Sequence, residues 1–360
     1  MENVGMTSAF WKGKRVLVTG HTGFKGSWLS LWLREMGATV GGLALEPDTR
    51  PSLFGDAQLE GLISSTIADI RDLDAIENAI GDFGPEIIFH LAAQSLVRRS
   101  YRDPLGSFNT NVLGTANILD AVRRAPAVRA VLVVTTDKVY ENAEQGLAFS
   151  ENEPLGGYDP YSSSKACAEI LTTSYRRSFL DELGIQVASA RAGNVIGGGD
   201  WSEDRLVPDI FKKLVFGDQL IIRNPDSVRP WQHVLDPLAG YLLLAEKLLG
   251  PGEYTGAWNF GPDISDSRTV RDVTSELERV WDDAIDWQLD ENANPHEAAT
   301  LTLDSSKARQ HLGWQPKLSF SEAVRLTGEW YREYKSGHDA LELCLGQIES
   351  YQKKDVAAAA

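Results

Sequence analysis

Cysteine is nearly missing from this chain, with two in 360 residues, Cys167 and Cys344. A disulfide framework is therefore excluded, and a reducing compartment suits the composition. No apolar run approaches the roughly 20 residues of a membrane span. Residues 1–14 lack the apolar core of a signal peptide, so a cytoplasmic location without membrane contact is expected. Positive charge is scarce as well. Lys and Arg total 35 against 51 Asp and Glu, a net charge of −16, which disfavours nucleic acid and anionic lipid as partners. A phosphate-bearing ligand must then be held by a few placed cations and by helix N-termini. Internal repeats, low-complexity linkers and His/Cys/Asp clusters with metal-ligand spacing are also missing, and no metal is expected.

Hydrophobic residues make up 42% of the chain, ample for two domains or one elaborated one. Residues 15–19 (RVLVT) read as an apolar strand ending in Gly20. Over 24–36 the spacing turns helical, with Trp28, Leu31 and Trp32 on one side. Strands follow at 40–45, where Gly41 and Gly42 imply close approach of a neighbour, and at 63–68 and 86–91, with a short helix at 72–80. A long helix over 104–124 opens on a proline. A strand at 130–135, a helix at 159–183 and a strand at 185–190 continue the alternation. Strands apolar on both faces, alternating with helices, specify a doubly wound parallel α/β sheet of Rossmann type. Beyond residue 191 the rhythm breaks into helices at 207–216, 235–249, 269–281 and a terminal 320–334. Short strands are expected at 219–223, 257–260, 285–289 and 301–303, and a tail at 357–360 without regular structure. This gives a dinucleotide-binding domain over 1–191, with 231–262 returning to it, and a smaller mixed α/β C-terminal lobe from 192–230 and 263–352. The cleft between them is the natural ligand site.

Gly20, Gly23 and Gly26 fall in GHTGFKG, after the first strand and opening the first helix. Glycines there permit a tight turn and close approach of a diphosphate, and the helix start supplies donors and positive potential. Thr22, Phe24 and Lys25 complete the loop. A nicotinamide dinucleotide is the simplest ligand. Ala44 stands where an acid usually holds the adenosine ribose, and Glu46 is the nearest acid. Arg50 would suit the phosphorylated cofactor, and NAD is preferred. Asp69 and Ile70, after the third strand, are placed for the adenine edge, Asp69 serving otherwise as a strand-end cap.

Tyr161 and Lys165 are four residues apart and so share one face of a helix. A held ammonium favours the phenolate, making Tyr161 a base for a carbinol proton. Thr136, ending an apolar strand, would orient the hydroxyl. Asp137 and Lys138 add an acid and an amine beyond what alcohol oxidation requires.

With these groups in place the chain resembles the extended short-chain dehydrogenase/reductases along nearly its whole length, and among them the nucleotide-sugar 4,6-dehydratases. The likeness is carried by the three loop glycines, His90-Leu91-Ala92-Ala93, Thr136 to Tyr140, Tyr161 and Lys165. RAGNVIGGGD at 191–200, RPWQHVLD at 229–236 and DSSKARQHLGWQP at 304–316 extend it. The opening FWKGKRVLVTGHTGFKGSWLSLWL, with GGGDWSEDRLVPD and VRPWQHVLDP, is most similar to the branch acting on CDP-glucose, whose products feed the 3,6-dideoxyhexoses of bacterial surface polysaccharide such as O-antigen.

The resemblance implies tightly held NAD, contacted also by Leu91, Ala92 and Ala93. Tyr161 would take the C4 hydroxyl proton as the C4 hydride leaves, Asp137 would be the acid at C6, and the hydride would return to C6. Lys138 would be the C5 base; alternatively it pairs with Asp137 and stabilises the enolate while another group takes the proton. Asn194 would contact the sugar's phosphates and Arg229 clamp the diphosphate, with Arg223 assisting. Trp201, Leu206, Val207 and Pro208 would wall the base and ribose, with Arg205 also binding substrate, although Trp201 and Trp231 suit core packing equally. His296 would meet the nucleotide. His90 reads as scaffold and Cys167 as packing. A dehydratase or 4-epimerase for UDP-, GDP- or dTDP-linked sugars is the alternative, but an epimerase needs no Asp137–Lys138 pair. A non-catalytic NAD sensor fits poorly with an intact Thr136, Tyr161 and Lys165. A homodimer through helices 104–124 and 159–183, or a homotetramer of such dimers, is implied.

Overall fold

The computed structural model describes residues 8–142, 146, 148–290 and 301–358. Seven parallel strands form its centre: β1 (Arg15–Thr19), β2 (Thr39–Ala44), β3 (Ser64–Ile67), β4 (Ile87–His90), β5 (Ala130–Val134), β6 (Gln186–Arg191) and β7 (Gly256–Asn259). Their order is β7-β6-β5-β4-β1-β2-β3. The order reverses between β1 and β4, and a crevice opens there beyond the carboxyl ends of the strands.

Burial explains why the inner strands β1, β4 and β5 are mainly apolar, whereas the edge strand β3 is polar and largely exposed. Alternate residues feed two separate cores. Val16, Val18, Ala130, Leu132 and Val134 meet Trp28 and Trp32 of helix Phe24–Glu35 on one face. Leu17, Val131 and Val133 meet Ile76, Ile118 and Val122 on the other. The period-two alternation that would leave one face wet is therefore replaced by a continuous apolar run. The glycines of β2 answer the same crowding: a Cβ on Gly42 would lie 2.3 Å from the His21 ring, and one on Gly41 2.9 Å from Phe83.

Beyond β6, helices Leu206–Phe216, Val270–Trp281 and Phe320–Lys335 pack beside the crevice. Capping boxes start the last two, at Thr269 with Asp272 and at Ser319 with Glu322, each satisfying two end donors. Phe211 stacks on Tyr331, ring centroids 3.8 Å apart.

Several expected elements differ. Helix 104–124 is Pro104–Phe108 and Gly114–Val122 joined by a π-helical stretch, Asn109–Leu113, and a similar stretch, Arg176–Leu180, extends helix Pro160–Tyr175. Helix Val97–Arg102 has no counterpart in the sequence reading because VRRSYR carries no apolar stripe. Residues 301–303 form no ladder; Leu303 makes one isolated bridge to Phe149. Helix Phe320–Lys335 is not terminal, for Ala340–Ala358 follows and takes in residues 357–358 of the supposed irregular tail. Its buried Cys344, Ile348 and Tyr351 dock on the first core, and alanine is the best helix former to extend it. No helix among the described residues is long and apolar enough to cross a membrane.

Candidate active site

One cleft of about 950 Å³ opens beyond the carboxyl ends of β1, β4 and β5. At its floor the chain turns at Gly20 with φ +76°, where a Cβ would stand 2.7 Å from Ala92 N. A Cβ on Gly26 would lie 2.0 Å from Gly20 O, so only glycine lets the helix start pack on the loop. Gly23 sits at the N-cap without a side-chain cap, and the first turn holds no acid. The helix start is left for an outside anion, which fits the diphosphate of a dinucleotide. Thr22 Oγ1 donates to Leu45 O at 2.8 Å and ties this loop to the end of β2. Phe24, Lys25, Glu46, Ile70, Leu91, Ala92 and Ala93 line the same cleft. Glu46 is exposed at the rim. Asp69 also lines it, but its carboxylate is held by Arg71 Nε at 2.9 and 3.0 Å, a bond that lowers its pKa.

The catalytic candidates converge from two elements. Asp159 caps helix Pro160–Tyr175 through Ser162 N, 2.9 Å, and Pro160 starts it. Tyr161 N–H donates to the buried Ser100 hydroxyl at 3.0 Å. One turn on, Lys165 Nζ donates to Val134 O at 3.1 Å. At the end of β5, Thr136 caps the short turn Asp137–Val139 and its Oγ1 donates to Asp137 Oδ1 at 3.0 Å. Asp137 is wholly buried, and its Oδ2 has no partner. Lys138 Nζ stands 3.5 Å from Asp137 Oδ1 with its side chain 31% exposed.

Burial pushes the Tyr161 phenol up to about 12, and the Thr136 hydroxyl and Arg205 charge offset this only in part. Burial likewise brings Lys165 down to about 8, against the pull of Glu169, and its ammonium is spent on a carbonyl. At the phenol, desolvation outweighs the Thr136 hydroxyl and the Arg205 charge. Lys25 is brought to about 7 by burial and by Arg205 and Lys165, with Asp137 and Asp200 opposing.

Beneath these groups lies a buried ion pair that motif reading missed. Arg191 Nη2 meets Glu169 Oε2 at 2.9 Å. Thr135 and Ser189 hydroxyls donate to the same carboxylate at 2.5 and 2.6 Å, and Arg191 also donates to Tyr140 Oη at 2.8 Å. The available signal was spacing, since Glu169 is four residues past Lys165 on the same helix face.

On the far wall, Asn194 adopts φ 43°, left-handed for a non-glycine residue, and its Oδ1 is buried without a partner. Such strain gathers at ligand sites. Arg205 reaches Asp200 at 3.2 Å and Ser95 at 3.1 Å. Arg223 and Arg98 share Asp204, each at 3.4 Å. Arg229, 8% exposed, and Leu206 line the cleft too. Trp201 touches it but is 3% exposed and packs edge-on against Tyr331, so core packing is its main work. Trp231 is buried and donates to Arg268 O at 3.0 Å. His90 bridges Thr19 and Thr115 at 2.8 and 3.0 Å as scaffold. Cys167, expected to pack, is exposed. His296 lies outside the described residues. Among those residues no cluster of three potential metal ligands occurs.

Comparison with known proteins agrees with this arrangement. The family model described as GDP-mannose 4,6 dehydratase matches residues 17–327. The chain is 49% identical over 348 residues to CDP-glucose 4,6-dehydratase of Salmonella typhimurium, covering 95% of this chain and 97% of that one. It is 30% identical to dTDP-glucose 4,6-dehydratase of Streptomyces antibioticus, covering 91% and 95%. Among solved structures, UDP-glucose 4-epimerase of Thermus thermophilus in complex with NAD superposes with a TM-score of 0.77 at 27% identity, covering 88% and 99%. The seven-stranded parallel sheet, the glycine cradle and the Thr-Asp-Lys/Tyr-Lys cleft thus carry a sequence likeness that runs almost end to end, and the chain belongs to the GDP-mannose 4,6 dehydratase family.

Proposed function

We propose that this protein dehydrates CDP-D-glucose to CDP-4-keto-6-deoxy-D-glucose with a retained NAD. The observation that carries the reading is Asp137, a fully buried carboxyl with an unpartnered oxygen beside Thr136 in the cleft of Tyr161 and Lys165. Oxidation of an alcohol leaves that acid without a task; loss of a hydroxyl requires it. The 49% identity to the Salmonella enzyme supports CDP-glucose as the substrate.

NAD, held at the Gly20–Gly26 loop by backbone donors, supplies the chemistry of taking a hydride from C4 and returning it to C6. Tyr161 acts as the phenolate, its own proton having passed to solvent, and receives the C4 hydroxyl proton while Thr136 orients that hydroxyl. Lys165 keeps its ammonium on Val134 O and biases the phenol by its charge. The 4-ketone acidifies the C5 proton, which Lys138 takes and, after exchange with solvent, returns to C5 once the hydride has reached C6. Asp137 delivers a proton to the C6 hydroxyl, which leaves as water. Arg223, Arg229 and Asn194 hold the diphosphate. Residues 192–230 and 263–352 are then read as the sugar-nucleotide lobe over a domain of 1–191 and 231–262.

Incubation with CDP-, UDP-, GDP- and dTDP-glucose in heavy water tests the reading. A 4-keto-6-deoxy product carrying deuterium at C5 is expected from the CDP sugar alone. Turnover of another nucleotide sugar, or inversion at C4 without water loss, would replace it.

We further infer a homodimer. Leu105, Leu113, Ile170 and Leu183 stand 55–76% exposed on and just beyond the helices of residues 104–122 and 160–180, with Cys167 among them. Such a band invites a second copy about a two-fold axis. Light scattering should give twice 39.6 kDa; a monomer rejects this.

A further inference from the structure

Residues 192–194 follow β6 and pass directly beside Asp137. A Cβ on Gly193 would stand 1.6 Å from Asp137 Oδ2 and 2.1 Å from its Cγ. No non-bonded contact is that short, so the bare Cα of Gly193 lies against the carboxyl group. The backbone does not itself call for glycine, since Gly193 is not among the positive-φ positions. Space alone excludes a side chain.

Neither partner has room to yield. Gly193 O accepts from Gln232 Nε2 at 3.1 Å, and the same buried amide donates to Phe260 O at 3.0 Å. The next carbonyl, Asn194 O, accepts from Gln232 N at 3.2 Å. The segment is pinned behind by β6, which pairs with both β5 and β7. Opposite, Asp137 is wholly buried in a one-turn helix capped by Thr136, whose hydroxyl holds Oδ1. Oδ2, the oxygen without a partner, is the one nearest the Gly193 position.

We propose that Gly193 is a positioning residue for the C6 acid. It seats the Asp137 carboxyl in one orientation and keeps water off Oδ2, leaving that oxygen for the C6 hydroxyl. The proposal rests on the dehydratase reading above. It gives Gly193 no direct part in C4 oxidation, because Thr136 reaches the carboxyl through Oδ1 whereas Gly193 crowds Oδ2. Any side chain at 193 must push the carboxyl aside, and displacing a reacting group by about 1 Å costs on the order of 100-fold in rate.

The test is Gly193→Ala in single turnover with CDP-glucose, with the 4-keto hexose trapped by borodeuteride and the 6-deoxy product measured separately. Water loss should fall on the order of 100-fold, while ketone formation keeps most of its rate. Asp137→Ala removes the clashing atoms. Adding Gly193→Ala to that variant should therefore change neither its residual water loss nor its Tm, as a double-mutant cycle on a single contact requires. Equal loss of both half-reactions, or a further loss when the two substitutions are combined, overturns the proposal. If Gly193→Ala alone does not fold, the combined variant must recover the Tm of Asp137→Ala, and failure to recover it overturns the proposal as well. If the unaltered protein forms a ketone but never a 6-deoxy sugar, the dehydratase reading falls, while the Tm cycle still decides the contact.

Discussion

Tyr161 and Asp137 divide the chemistry at the scale of single side chains. Tyr161→Phe removes the proton acceptor at C4 and should lower ketone formation by roughly 10²–10⁴-fold, read by trapping the keto sugar. Asp137→Asn keeps the Thr136 contact but not the acid, so the ketone should form while water loss drops by a similar factor of about 10²–10⁴. Normal water loss in that variant would remove Asp137 from the mechanism. Lys165 gives a third expectation. Its folded pKa of about 8 lies below the ordinary 10.5, so between these values the unfolded chain binds more protons and stability rises with pH. Lys165→Met should make that rise shallower and abolish turnover, with thermal midpoints at pH 7 and 9.5 reporting the first. Lys25, brought down to about 7, leaves part of the slope in place. These residues were legible because each motif lies within a short run of consecutive positions. Three glycines, a Thr-Asp-Lys run and a Tyr-Lys pair announce themselves by order alone. Gly193 did not, since its meaning depends on a carboxyl from the turn that follows β5. Nor did the upward push on the Tyr161 phenol, because burial is a property of the fold and not of spacing.

Elements carry the next set of consequences. Helix Pro160–Tyr175 holds Tyr161, Lys165 and Glu169 in line, and Glu169 anchors it to β6 through Arg191. Both charges are 3% exposed. Arg191→Met would leave the buried Glu169 carboxylate with only the Thr135 and Ser189 hydroxyls, and breaking a buried pair costs about 3–5 kcal/mol. Denaturant midpoints should register that loss, and Tyr161 and Lys165, carried by the same helix, should lose alignment. A variant with unchanged stability would show that Ser189 and Thr135 suffice. Sheet strands were read to within a residue or two, the inner ones because both of their faces are covered. Helix Val97–Arg102 was not, although its Ser100 receives the Tyr161 N–H, because four of its six residues are polar or charged. The π-helical stretches escaped for a related reason: an inserted residue shifts the face of a helix without altering its composition.

Across the whole molecule, distant parts of the chain are tied to the central sheet. Asp236, buried on helix Leu235–Leu248, accepts from Tyr351 Oη at 2.8 Å and from Lys317 N at 2.9 Å. Burial raises it from 3.8 to about 6. A raised folded value means the stability it contributes is complete below 3.8 and is lost as pH climbs through about 6. Asp236→Asn should flatten that window, measured as denaturant midpoints from pH 4 to 7; an unchanged profile would show that Asp236 does not titrate there. Chain order offered no hint that Tyr351 returns to Trp32 and Asp236 beneath the first core. One further feature bears on how the molecule comes into being. β7 is parted from its neighbour β6 by residues 192–255. On the ribosome, the edge of β6 that receives β7 stays unpaired until that whole stretch has emerged. This is the interval in which a nascent chain is open to foreign strands and to chaperones.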